Sequence, residues 1–240
     1  MHRDKSKNLE KIIYYVKKAS EGGADIILFP ELTYNGYILS KEEFLETSET
    51  QDDFFVDRIK DLAKEYNIYI LAGYVEREKD NLYNSAILVD TFGEILLNYR
   101  KNYLWKKENV IFTSGVDAPV IETEFGRIGI LICYDMEFPE PARKLAREDV
   151  DIIFVPSCFS KFAENRWDIL LNANALFNLI YVVGANVVDE YCCGKSKIIG
   201  PDGKNIIELS DKFEDFAICE IDLTEKDSIR EKIPYFKDLK

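Results

Sequence analysis

Apolar positions along the chain alternate between two spacings. Over residues 6–20, Leu9, Ile12, Ile13 and Val16 recur three and four residues apart, which predicts a helix with one buried face, closed by Gly22-Gly23. The run Asp25-Ile26-Ile27-Leu28-Phe29-Pro30 then has the unbroken apolar character of a buried strand. Residues 52–66 predict a second helix and residues 68–75 a second apolar strand. Residues 82–90 and 94–100 flank the turn Thr91-Phe92-Gly93, and residues 120–123 and 127–133 flank Glu124-Phe125-Gly126, so each pair reads as a hairpin with glycine at its turn. A helix over residues 140–147 leads into the strand run 151–156. A longer helix over 165–179 precedes a strand over 181–188, and a last hairpin turns at Pro201-Asp202-Gly203.

Helices interleaved with strands and hairpins predict an α/β fold whose sheets are covered by helices on their outer faces. No low-complexity linker or composition shift divides the chain, so residues 1–240 read as a single domain. The segment 25–30 echoes residues 151–156, Asp-Ile-Ile-Phe-Val-Pro. Each follows a helix and ends at a proline just before a candidate site residue. Chance likeness of two buried strands is one reading, and a pseudo-symmetric unit with two similar halves is the other.

Charge and composition narrow the function. The formal net charge of −13 gives no overall attraction to a phosphate backbone or an anionic membrane, so the expected partner is a small-molecule substrate, with no nucleic acid and no membrane. Residues 1–10 lack the apolar stretch of a signal peptide, and no apolar run is long enough to cross a bilayer. Five cysteines, an odd number without framework spacing, suit reduced thiols and a cytoplasmic location. The single histidine is His2, next to the terminus, where ordered structure is not expected. That removes Ser-His-Asp and Cys-His pairs and histidine-based zinc sites, and leaves acid–base work to Glu, Asp, Lys, Tyr or Cys.

Two residues stand at suggestive places. Cys133 ends the apolar strand run Ile128-Gly129-Ile130-Leu131-Ile132 and precedes a polar stretch and a helix, where backbone N–H groups lower a thiol pKa and hold an oxyanion. A buried core thiol is the alternative. Glu31 follows Phe29-Pro30 at the end of another buried strand, where α/β sites form; an exposed loop carboxylate is the alternative. Lys101 and Glu108, taken alone, read as solvated surface charges.

Their combination changes the picture. Phe29-Pro30-Glu31, Arg100-Lys101, Cys133-Tyr134-Asp135 and Phe138-Pro139-Glu140 occur in an order and spacing that resemble the nitrilase, or carbon–nitrogen hydrolase, superfamily. The resemblance covers almost the whole chain. It takes in Glu31-Leu32 with Asn35-Gly36-Tyr37, Tyr83-Asn84-Ser85-Ala86, Glu108 with Phe112 and Gly115, Asn186, and Ile199-Gly200-Pro201-Asp202-Gly203. It implies a four-layer αββα sandwich that forms a homodimer or higher homo-oligomer through its helices. It also implies a catalytic set of Glu31, Lys101 and Cys133, with Glu108 in support and with Tyr37, Tyr134, Phe138 and Cys158 as candidate substrate or oxyanion contacts. For Cys158, core packing is the alternative.

The implied activity is hydrolysis of a small linear amide or N-carbamoyl amine through a thioester, releasing ammonia, in the amidase-like branch and with no metal or organic cofactor. Nitrile hydrolysis by the same residues and a non-catalytic binding homologue are the competing readings. A free thiol has a pKa of about 8.5 and a free Glu of about 4.3, so proton transfer between them costs on the order of 6 kcal/mol. Burial of the Glu and a nearby Lys⁺ narrow that gap.

Three departures from the family pattern bear on this. The family usually opens with a strand before the first helix, but only about five residues precede it here, so either the chain as given starts late or the first sheet lacks one strand, exposing an edge. Glu137 stands where many family amidases carry Arg. Asn174 and Phe177 stand where many carry Arg and Glu in the later helix. Among the other cysteines, Cys192-Cys193 are expected in a loop near the site entrance and Cys219 in a core strand. Trp167 and Phe162 are expected either to shape a substrate wall or simply to pack.

Overall fold

The computed structural model describes residues 4–37 and 40–238; His2 lies outside the described residues. The chain forms two compact units, Met1–Asp117 and Ala118–Lys240.

In the first unit, helix α1 (Lys5–Glu21) starts at Asp4, whose carboxylate accepts the N–H groups of Ser6 and Lys7. Strand β1 (Ile26–Leu28) follows, then the short helix α2 (Lys41–Thr47) and helix α3 (Phe54–Tyr66). Asn67 ends α3 in the left-handed region, at φ 49°. Strands β2 (Tyr69–Glu78), β3 (Asn81–Val89) and β4 (Ile95–Arg100) complete a sheet ordered β1-β2-β3-β4, with β1 parallel to β2 and the other pairs antiparallel.

The helices cover one face of this sheet. Ile12 and Val16 of α1 and Phe55, Ile59 and Leu62 of α3 are buried in one cluster with Ile70, Ala72 and Tyr74 of β2 and Ile87 and Val89 of β3. The period-3.6 helix stripes meet the period-2 strand stripe, and each fully buried side chain stabilises by roughly 1.5–3 kcal/mol. A second cluster gathers Leu32, Phe44, Val75, Leu82, Leu104, Ile111 and Phe112. It packs α2 and the loops that carry Glu31 and Glu108.

The second unit holds β5 (Ile121–Thr123), β6 (Gly126–Ile130), helix α4 (Pro139–Arg147), β7 (Ile152–Ser157), helix α5 (Glu164–Asn178), β8 (Tyr181–Asn186), β9 (Lys197–Ile199), β10 (Asn205–Glu208) and helix α6 (Thr224–Lys232). Its sheet is ordered β10-β9-β8-β7-β6-β5, with the central β6, β7 and β8 parallel and the outer pairs antiparallel. Gly129 on β6 lets Leu145 of α4 approach, since a Cβ there would lie 2.8 Å from its Cδ1. Gly184 on β8 does the same for Leu171 and Trp167 of α5. The strand register puts both glycines on one face, so α4 and α5 cover the same side of the sheet.

The predicted helices and strands are present with shifted ends. The α/β expectation holds as a mixed fold of two sheets with helices. The echoed segments both run parallel to a neighbour, but β1 is a partly buried edge strand whereas β7 is central and buried throughout. Cys219 corrects its expectation: it is half-buried and lies outside any strand.

Candidate active site

Glu31 sits in the tight turn after β1. Leu32 next to it has a φ of 48°, and the turn closes through the Gly36 N–H donating to Leu32 O at 2.8 Å. The turn is pressed onto β2: the Tyr34 N–H donates to Gly73 O, and a Cβ on Gly73 would lie 2.5 Å from Leu32 N. Asn35 pins it further, accepting from Val75 N at 2.7 Å and donating to Thr47 O at 2.7 Å. The backbone around Glu31 is therefore held on both sides before its side chain makes any contact.

That side chain is 1% exposed. Lys101 Nζ, also 1% exposed, donates to Glu31 Oε1 at 2.7 Å and lies 2.9 Å from Glu108 Oε2. The Lys101 backbone is fixed as well: its N–H donates to Asn84 O at 2.9 Å, and its carbonyl accepts from Gly115 N at 2.8 Å. Glu108, in a 3-10 turn at Lys106–Val110, accepts from the Tyr37 hydroxyl at 3.0 Å and from Trp105 N at 2.6 Å. Asn84 completes the cluster, donating to Glu31 Oε1 at 2.7 Å and to Glu108 Oε1 at 3.4 Å. Two carboxylates facing one ammonium leave a local negative excess in a dry place. Burial pushes the Glu31 pKa above the usual carboxylate value; Lys101 pulls it back and the Glu108 charge adds to the rise. Glu31 Oε2 is buried and accepts no hydrogen bond among the described residues, so one lone-pair face of this carboxylate is uncommitted.

The second unit presents Cys133. Beyond β6, Leu131 and Ile132 lead into a 3-10 turn, Cys133–Glu137, and Pro139 then opens α4. Cys133 has a φ of 47° and is 9% exposed. A non-glycine residue in that region carries backbone strain, and the turn is braced against it: Asp135 accepts the Ile132 N–H at 2.8 Å. The sharp bend puts Cys133 at the head of a turn that leads into α4.

Tyr134 and Phe138 pack edge to face, with ring centres 5.1 Å apart. Asn174 of α5 donates to Met136 O at 3.2 Å, so Asn in place of the family's Arg still ties α5 to this turn. Phe177 is exposed, and Glu137 forms an ion pair with Arg166 at 2.5 Å. Cys158 is half-buried, with its Sγ 3.2 Å from Cys192 Sγ. Cys192 and Cys193 are buried, paired by isolated bridges with Ser160 and Val188. Trp167 packs fully buried, whereas Phe162 is exposed.

Of the residues singled out in the sequence, Glu31, Lys101, Glu108 and Tyr37 come together in the first unit. Cys133, Tyr134 and Phe138 share one turn in the second. Asn84 was not foreseen as a site residue; its signal was present only as the Tyr83-Asn84-Ser85-Ala86 stretch. Arg166 had no signal, because a lone helical Arg is an ordinary surface residue.

The sequence profile of the carbon–nitrogen hydrolase family matches residues 1–231. The chain belongs to the carbon–nitrogen hydrolase family. Among family relatives, a probable nitrilase of Schizosaccharomyces pombe is 34% identical over 98% of this chain and 90% of its own length. A deaminated glutathione amidase of Dictyostelium discoideum is 32% identical over 99% of this chain and 90% of its own length. A carbon–nitrogen hydrolase from Helicobacter pylori superposes with a TM-score of 0.93 at 24% identity, covering 99% of this chain and 91% of that one, which shows the fold. A mutant amidase of Nesterenkonia sp. AN1, with acrylamide added at its active-site cysteine, gives a TM-score of 0.78 at 27% identity, covering 88% of this chain and 85% of that one. Family membership makes hydrolysis of carbon–nitrogen bonds the class of chemistry to explain. Among the described residues, no helix is long and apolar enough to cross a membrane.

Proposed function

We propose that this carbon–nitrogen hydrolase cleaves a small linear amide or an N-carbamoyl amine, with Cys133 as nucleophile, Glu31 as general base and Lys101 as oxyanion partner. Glu31 takes the thiol proton as sulfur attacks the carbonyl carbon. Lys101 and a backbone N–H near Tyr134 stabilise the tetrahedral oxyanion. The intermediate collapses to a thioester as Glu31 returns the proton to the departing nitrogen, releasing ammonia. Water, deprotonated by Glu31, then attacks the thioester and regenerates the thiol. Glu108 holds the Lys101 ammonium, and Tyr37 holds Glu108 in turn.

The observation that carries this reading is the buried Glu31–Lys101 pair, whose carboxylate keeps one oxygen uncommitted and a pKa raised toward that of a thiol. A carboxylate kept for stability alone has no need of that. The same residues suit nitriles, and the probable nitrilase among the relatives keeps that as the second reading. The amidase relatives and the cysteine adduct of the Nesterenkonia enzyme favour amides. A binding protein that had lost catalysis would have little reason to retain the buried Glu31–Lys101–Glu108 cluster.

An ammonia-release screen over amides, carbamoyl amines and nitriles decides among these. The expected result is turnover of at least one amide or carbamoyl amine, abolished in Cys133→Ala. Equal turnover by Cys133→Ala rejects the mechanism, and no turnover of any class supports a binding role.

A further inference from the structure

Two thiols outside the Glu31, Lys101 and Cys133 set lie side by side in the second unit. Cys158 follows β7 and Cys192 lies between β8 and β9, with their Sγ atoms 3.2 Å apart. A disulfide bond is about 2.05 Å long, so closing the gap needs a movement of only about 1 Å.

The approach is set by the backbone. Ser160 and Cys192 form an antiparallel bridge, Cys193 N donates to Phe159 O at 3.0 Å, and Lys161 N donates to Tyr191 O at 2.8 Å. Asn186 clasps both segments, accepting from Phe159 N at 2.7 Å and donating to Gly194 O at 2.8 Å. Asp189 fixes the far segment by accepting the N–H groups of Tyr191 and Cys192, each at 2.8 Å. The backbone segments that carry the two cysteines are therefore held side by side. The neighbouring Cys193 is a poor competitor, because burial pushes its thiol up to about 11 and leaves little thiolate.

We propose that Cys158 and Cys192 form a reversible dithiol–disulfide site that takes peroxides as its oxidant. Cys158 is half-buried and Cys192 is 5% exposed, which assigns the order of events. The Cys158 thiolate attacks one peroxide oxygen, the O–O bond breaks, and a sulfenic acid and hydroxide form. Cys192 then attacks the sulfenic sulfur, the S–S bond forms, and the second oxygen leaves as hydroxide. The two thiol protons convert both hydroxides to water. Two sulfurs together lose two electrons and the peroxide gains them. The site does not rest on the Cys133 reading.

The test treats the full chain, both unaltered and as Cys133→Ala, with a few equivalents of hydrogen peroxide, followed by peptide mapping without reductant. In both proteins a peptide joining Cys158 to Cys192 is expected, lighter by two hydrogen atoms than the reduced pair and reversed by dithiothreitol. The bond closes a loop spanning 34 positions, so oxidation is also expected to raise the thermal midpoint by several degrees. In Cys192→Ser the cross-link disappears and dimedone captures a sulfenic acid at Cys158; in Cys158→Ser it disappears and Cys192 stays alkylatable. Oxidation of Cys158 to sulfinic acid while Cys192 remains alkylatable, or a cross-link that uses Cys133 or Cys193 instead, overturns the proposal.

Discussion

At Glu31 three influences oppose one another. Burial raises the carboxyl pKa, the Lys101 ammonium lowers it, and the Glu108 charge raises it again; hydrogen bonds from Lys101 and Asn84 work on the lowering side. A general base acts only when ionised, so the acid limb of kcat/KM is expected above the ordinary Glu range of about 4.3. The signs for variants follow. Asn84→Ala removes a donor to the charged form, so the acid limb moves up in pH. It also frees the carboxylate to swing, which costs on the order of 10²-fold in kcat. Glu108→Gln removes a neighbouring negative charge, so the limb moves down, with a loss in kcat because Lys101 loses one of its two anchors. A pH–rate profile for each variant reads both effects, and a limb that stays fixed in both variants would assign it to another group.

The elements show what the chain's patterning could and could not reveal. Long amphipathic helices such as α1 and α3 were legible because their apolar stripes are periodic and their ends carry strong stop signals. The hairpin joining β2 to β3 was not, because its turn uses Lys79 at φ 54° where a glycine would have announced it. The last residues of β2 are also charged: Glu76 is buried and held by Ser85, Asn98 and Arg100, which no hydrophobic pattern reveals. Helices α2 and α6 are short and polar, so their periodicity is weak. In the sequence, Glu31, Lys101 and Cys133 each read as ordinary alone and become visible only as an ordered set. Asn84 and the Glu137–Arg166 pair depend on contacts 53 and 29 positions apart in sequence.

Gly115 is the element-scale feature most open to test. A Cβ there would lie 2.2 Å from Arg100 O, a backbone atom that cannot swing aside. Gly115→Ala is expected to destabilise by about 1–3 kcal/mol and to displace Lys101, whose carbonyl accepts from Gly115 N. Denaturant titration reads the first effect. A kcat loss larger than that of a comparably destabilised variant remote from Lys101 reads the second.

For the whole molecule, assembly is the open quantity. Ile169 and Phe177 of α5 are 57% and 55% exposed, and their spacing places them near one stripe of the helix. We propose that this stripe contributes to a homodimer. Light scattering is expected to give twice the chain mass, and Ile169→Asp with Phe177→Asp to halve it while the far-ultraviolet circular dichroism is retained. A single-chain mass for the unaltered protein would count against association.

The chain has two tryptophans, and they fall one in each compact unit. The Trp105 backbone N–H donates to Glu108 Oε2 at 2.6 Å, while the Trp167 indole donates to Lys195 O at 2.9 Å from a fully buried position. Replacing either with Phe leaves a single tryptophan, so fluorescence excited selectively at tryptophan can follow each half of the protein separately. Superimposable melting curves from the two emitters would mean that the halves unfold as one cooperative body. Separate curves would make them autonomous folding units joined by a peptide bond.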